Sequence, residues 1–109
     1  MLAAECRRKE EDMMKLADTV EGMNSVDYQE RFIAEYQQLV IRYRGLTNML
    51  NKWDRGVDLG FSPTCPRSTY NTQAETMADY IAVLEARAMM EGIDLDTSVV
   101  PLYEEAEEQ

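Results

Sequence analysis

Residues 32–53 read Phe32-Ile33-Ala34-Glu35-Tyr36-Gln37-Gln38-Leu39-Val40-Ile41-Arg42-Tyr43-Arg44-Gly45-Leu46-Thr47-Asn48-Met49-Leu50-Asn51-Lys52-Trp53. Phe32, Tyr36, Leu39, Tyr43, Leu46, Leu50 and Trp53 recur at spacings of 4, 3, 4, 3, 4 and 3, which places them on one stripe of an α-helix. Ile33, Val40 and Met49 widen the stripe, and Glu30, Glu35, Gln37, Gln38, Asn48 and Asn51 flank it. Ser25 is the expected N-cap, because its hydroxyl can accept from the first free amides, and Asp27 suits the positive end of the helix dipole. Gly56 marks the expected stop.

Beyond that helix, residues 54–68 contain two glycines and two prolines and cannot continue it, so they form a turn. Val57, Leu59 and Phe61 are expected to fold back over the hairpin end. Ser68 or Thr69 then caps a second helix, in which Tyr70, Ala74, Met77, Ile81, Leu84 and Ala88 repeat at 4, 3, 4, 3, 4. Tyr80 and Val83 broaden that face, and Gly92 closes it. Two long rods on a short connection pair antiparallel, with Ala74, Ala78, Ala82, Ala86 and Ala88 allowing close approach and Tyr36 and Tyr43 filling the opposite positions. Two helices rarely bury enough apolar area to offset the entropy of ordering them. A third helix or a further subunit is therefore required.

Residues 2–22 offer the third helix: Leu2, Cys6, Lys9, Met13, Leu16, Val20 and Met23 share the heptad spacing, although a charge-rich extension is the alternative. The fold class expected is all-α, a long antiparallel helical hairpin with an additional N-terminal helix, assembling into a helical-bundle oligomer. The organisation is 1–24 as amphipathic helix or extension, 25–95 as the hairpin, and 96–109 as a strap (Val99, Val100, Leu102, Tyr103) and an acidic tail.

Composition narrows the function. The 109 residues hold no histidine, two cysteines and a formal charge of -10, which excludes His-based triads, His-containing zinc sites and a histidine general base. The acidic balance disfavours duplex nucleic acid, which needs surplus Lys and Arg against phosphate. The charge is uneven: residues 25–56 hold five basic and four acidic side chains, whereas 91–109 hold seven acidic and no basic ones. An anionic small molecule can find a positive site in the former. Cys6 and Cys65 have no zinc or redox-motif spacing, so they read as reduced, buried or inert thiols of a cytosolic chain. No apolar run suits a signal peptide or a membrane span.

Catalytic candidates are thin. Glu75 and Asp79 share a helix face at i, i+4 and can in isolation hold a cation, but they read more simply as solvated carboxylates. Nothing resembles a nucleophile elbow, a Gly-rich phosphate loop or a calcium loop. No enzyme activity, cofactor or metal is expected. Binding is better supported. Arg42, Arg44, Lys52 and Arg87 can contact phosphates, and Tyr36, Tyr43, Trp53, Tyr70 and Tyr80 can stack on a base or shape a pocket. The plainer reading puts Tyr43 and Trp53 in the core and pairs Arg42 with Glu35 or Gln38. The adjacent pairs Met13-Met14 and Met89-Met90 suggest a second apolar face for self-association, or side chains without a role.

The stretch Asp27-Tyr28-Gln29-Glu30-Arg31-Phe32-Ile33-Ala34-Glu35-Tyr36-Gln37-Gln38-Leu39, the turn with Thr64-Cys65-Pro66, and Met77-Ala78-Asp79-Tyr80-Ile81-Ala82-Val83-Leu84-Glu85-Ala86-Arg87 resemble the small helical-hairpin proteins of phage and prophage genomes known as crAssphage-related. The resemblance spans about residues 26–95, and its motif, Met77-x-x-Tyr80-x-x-x-Leu84-x-x-Arg87, is of moderate specificity. It implies a phage accessory protein in the cytoplasm of an infected bacterium. By analogy with phage proteins that withhold nucleotide signals of host immunity, it implies anti-defence sequestration of a cyclic oligonucleotide or cyclic ADP-ribose type ligand. The alternative is an acidic protein-interaction module that inhibits a host protein or serves phage assembly. The partners expected are a small anionic nucleotide, further copies of the chain and a possible host protein, with no membrane and no duplex nucleic acid.

Overall fold

The computed structural model describes residues 13–95. A 3-10 turn at Leu16–Thr19 runs into a one-turn helix α1 at Val20–Met23; two long helices follow, α2 at Tyr28–Asp54 and α3 at Arg67–Glu91. Among the described residues all regular structure is helical. Residues 2–22 do not form one continuous helix, because Met13–Lys15 are non-helical and the 3-10 turn precedes α1. Lys15 N–H donates to the Asp18 carboxylate at 2.9 Å and Asp18 N–H to the Lys15 carbonyl at 2.9 Å. These local bonds give the backbone an alternative to the α-helix. The strap and acidic tail lie outside the described residues.

The start of α2 is tied at several atoms. Asp27, not Ser25, is the N-cap: its Oδ1 accepts from Gln29 N–H at 3.1 Å. Ser25 acts one step earlier, with Oγ accepting from Asp27 N–H at 2.9 Å and donating to Glu30. Such capping stabilises a helix by about 1 kcal/mol. At the far end Val57 N–H reaches the Lys52 carbonyl and Gly56 N–H the Trp53 carbonyl, with Gly56 at φ 72°. That is a Schellman closure, and its positive φ favours glycine.

Helix α3 begins at Arg67, earlier than Ser68 or Thr69, because Pro66 at φ -62° already has a fixed boundary geometry and needs no donor there. It ends as α2 does. Ile93 N–H donates to the Ala88 carbonyl at 2.8 Å across Gly92 at φ 74°, and the apolar side chain this turn delivers, Ile93, is buried.

Side-chain pairs join Tyr28 to Glu91, Tyr36 to Glu85 and Asp54 to Arg67, so α2 and α3 run antiparallel. Phe32, Tyr36, Leu39, Val40, Ile81, Leu84, Ala88 and Ile93 form the core, with Ile33, Ile41, Tyr43, Met77 and Leu95 packed around it. The opposite side of α2 is covered by the Leu16–Met23 segment. A Cβ built on Gly22 would stand 2.9 Å from the Ala34 Cβ and 3.5 Å from the Glu30 carbonyl oxygen, so α1 meets α2 almost backbone to backbone. Helix α2 is thus packed on two sides. Val57 and Phe61 do not cover the hairpin end as expected; both are exposed. Tyr80 and Val83, read as part of the buried face, are exposed too, and Cys65 is an exposed thiol.

Candidate functional site

The N-terminal segment leaves a groove of about 370 Å³ where it crosses α2, lined by Leu16, Ala17, Thr19, Val20, Met23, Gln38 and Arg42. Leu16, Val20 and Met23 remain exposed although apolar. They form a greasy wall facing water. Thr19, in contrast, is buried, and its hydroxyl donates to the Leu16 carbonyl at 2.8 Å. Gln38 and Arg42 are one turn apart and share the other wall. Among the described residues neither side chain has a hydrogen-bond or ion-pair partner, and Glu35, a proposed partner for Arg42, accepts the Tyr80 hydroxyl instead. An unpaired guanidinium beside apolar surface can hold a carboxylate or phosphate by two parallel N–H donors.

Arg44 is on the other side of the helix. Two residues apart on α2 means about 200° of rotation, so Arg42 and Arg44 cannot reach one small ligand from one face. Arg44 Nη1 is buried and has no hydrogen-bond partner among the described residues. Tyr36, earlier on the same helix, is 1% exposed and donates from its hydroxyl to Glu85 at 2.8 Å; it closes the core. Tyr43 packs against that core.

Of the remaining nominated residues, Arg87 lies at one end of the hairpin and Lys52, Trp53 and Tyr70 at the other, while Tyr80 lies midway along α3. At one end the Arg87 guanidinium sits 4.8 Å from the Phe32 ring, donates to the Tyr28 hydroxyl at 2.8 Å and pairs with Glu91 at 3.3 Å. Tyr28 in turn donates to Glu91 at 2.8 Å, and this bond to a carboxylate pushes its pKa up. The bond from Tyr80 to Glu35 does the same for Tyr80. At the other end Trp53 meets the edge of Tyr70 at 5.9 Å, and Arg67 lies 5.2 Å over Trp53 while gripping both Asp54 oxygens at 2.6 and 3.2 Å. That grip holds the Asp54 carboxyl below its usual range. Lys52 is exposed nearby. Ten residues of helix separate Arg42 from Lys52, about 15 Å of rise. The nine nominated residues therefore do not converge on one pocket within a chain.

Leu16, Ala17, Val20 and Met23 were not nominated as site residues. Leu16, Val20 and Met23 were read as part of a heptad stripe and Ala17 was not singled out, and nothing local tells a stripe that packs from one that lines a groove. Among the described residues no group of three or more Cys, Asp or Glu side chains is placed to hold a metal ion, and no helix is long and apolar enough to cross a membrane.

Neither the curated proteins nor the solved structures include a match to this chain. The Sequestin family profile matches residues 26–90, which takes in Gln38, Arg42, all of α2 and all of α3 but its last residue, and leaves the greasy wall of the groove outside. This extent falls within the stretch, about residues 26–95, that carries the hairpin-family resemblance, and the family's name suggests sequestering. By that match over more than half of its length, the chain belongs to the Sequestin family.

Proposed function

We propose that this protein binds and withholds a nucleotide signal of bacterial immunity, of cyclic oligonucleotide or cyclic ADP-ribose type, without chemically changing it. Membership of the Sequestin family carries the reading. The groove beside Arg42 supports it, since one unpaired guanidinium next to apolar surface suits a ligand with a phosphate and a flat base. Withholding a ligand needs no general base or nucleophile. The setting proposed is phage anti-defence in the cytoplasm of an infected bacterium.

The test is a thermal-shift panel of cyclic di- and trinucleotides and cyclic ADP-ribose isomers, followed by denaturation and chromatography of the released ligand. Binding to the folded state raises the melting temperature by mass action. A stabilising ligand recovered intact is the expected result; a ligand recovered altered makes the protein an enzyme. Arg42→Ala is expected to cost on the order of 2 kcal/mol in affinity, and wild-type binding by that variant sinks the site.

A second reading rests on α3. Met89 and Met90 are 83% and 79% exposed, and Val83 is exposed with them, an apolar surface suited to further copies of the chain or to a host protein. If no nucleotide in the panel shifts the melt while a host protein is retained on the immobilised chain, this interaction reading takes over.

A further inference from the structure

We infer that the groove between the Leu16–Met23 segment and α2 selects adenine, with Gln38 reading the base edge and Arg42 holding the phosphate; this rests on the nucleotide-binding reading above. Three observations converge on it. The groove's volume, about 370 Å³, is at the small end of the range for small-molecule sites, roughly 300–1,000 Å³. It accommodates a single base with its sugar and phosphate, so any larger cyclic ligand presents one nucleotide to each groove. One wall is apolar, from Leu16, Ala17, Val20 and Met23, and such side chains cover the face of a purine; a thioether is favourable against an aromatic ring.

The polar equipment is the third. Gln38 and Arg42 are the long polar side chains lining the groove, and neither has a partner among the described residues. They differ in what they can pair with. A primary amide offers one acceptor and two donors in a plane, which matches the N6 donor and N7 acceptor of adenine; guanine presents two acceptors, O6 and N7, on the same edge and leaves the amide oxygen unmatched. The guanidinium is a donor only, and its fork fits phosphate. The four groove residues Leu16, Ala17, Val20 and Met23 precede the stretch that matches the family. The anion contact thus comes from the family segment, whereas the base-covering wall comes from outside it.

Isothermal titration of the full chain with adenosine 5′-monophosphate and guanosine 5′-monophosphate tests this, with circular dichroism as the folding control. The expected result is an adenine preference of about tenfold or more, the size of one good bidentate contact. Gln38→Leu, which removes the acceptor and both donors at similar size, is expected to abolish that preference. Arg42→Ala should weaken both nucleotides alike. Val20→Trp, at an exposed position, should fill the groove and weaken both without unfolding the hairpin. Equal affinity for the two nucleotides, or an unchanged preference in Gln38→Leu, overturns the adenine assignment and leaves the nucleotide reading standing if Arg42→Ala still weakens binding. Full binding by Val20→Trp overturns the groove as the site. If neither nucleotide nor any member of the cyclic panel binds, the nucleotide reading itself falls and takes this inference with it.

Discussion

Tyr28 and Tyr80 show how a residue's role is set by what it meets. Both are a little under half exposed, and both donate the phenol proton to a carboxylate on the neighbouring helix, Glu91 and Glu35 respectively. Losing that proton would set a phenolate against a carboxylate, so both pKa values are raised. A raised folded-state value means stability that is fully present below the unfolded tyrosine value, about 10, and lost as pH rises through the raised ones. Phenolate absorbance followed against pH should therefore show two tyrosines titrating late, and Glu35→Gln should return Tyr80 toward the ordinary range. Asp54 works in the opposite sense. Its carboxyl is held low chiefly by the Arg67 hydrogen bonds, and its contribution is lost only as pH falls below about 4.

Among the elements, α1 is the shortest and the most dependent on others. Four residues cannot hold a helix alone, given the cost of nucleation, so Val20–Met23 exists because it lies on α2 at Glu30 and Ala34. Glycine at position 22 makes that approach possible. Gly22→Ala gains a helix-propensity benefit of about 1 kcal/mol, but the added methyl meets the Ala34 Cβ at 2.9 Å, and overpacking of that sort costs about 1–3 kcal/mol. The clash outweighs the propensity. The substitution should lift Leu16–Met23 from α2 while α2 and α3 stay paired. Hydrogen exchange would show this as lost protection at residues 19–23 with unchanged protection in the hairpin, and ligand affinity should fall with it.

At the scale of the molecule, the hairpin buries one face of α3 and leaves another bare. Ile81, Leu84 and Ala88 are in the core, whereas Val83, Met89 and Met90 face solvent. The proposed self-association would cover that second face, and the test is sedimentation of the wild type against Met90→Glu. The charge should shift an assembled wild type toward monomer; identical sedimentation of both proteins leaves the face without that role.

How much of this was legible beforehand differs by element. The two long helices were readable because a 3.6-residue period and a glycine in the left-handed region are local facts: the Phe32 to Trp53 stripe, Gly56 and Gly92 stand in the structure as their spacing implied. The N-caps were off by two or three residues: at α2 Asp27 and Ser25 both have the side-chain oxygen a cap requires and geometry chose between them, and at α3 Pro66 takes the position expected of Ser68 or Thr69. Arg42, Arg44 and Arg87 were indistinguishable as sequence. Only the packed chain separates them, because a guanidinium's availability depends on long-range neighbours: Tyr28, Phe32 and Glu91 engage Arg87, while the return of Leu16–Met23 across α2 turns an ordinary apolar stripe into the wall of a groove beside Arg42. The sequence by itself determined the hairpin, its turn and its closing glycines, since each follows from residues within a few positions. Tertiary structure alone decided which polar groups were consumed by the fold and which were left facing a cavity, because burial and pairing are set by contacts between residues far apart in the chain.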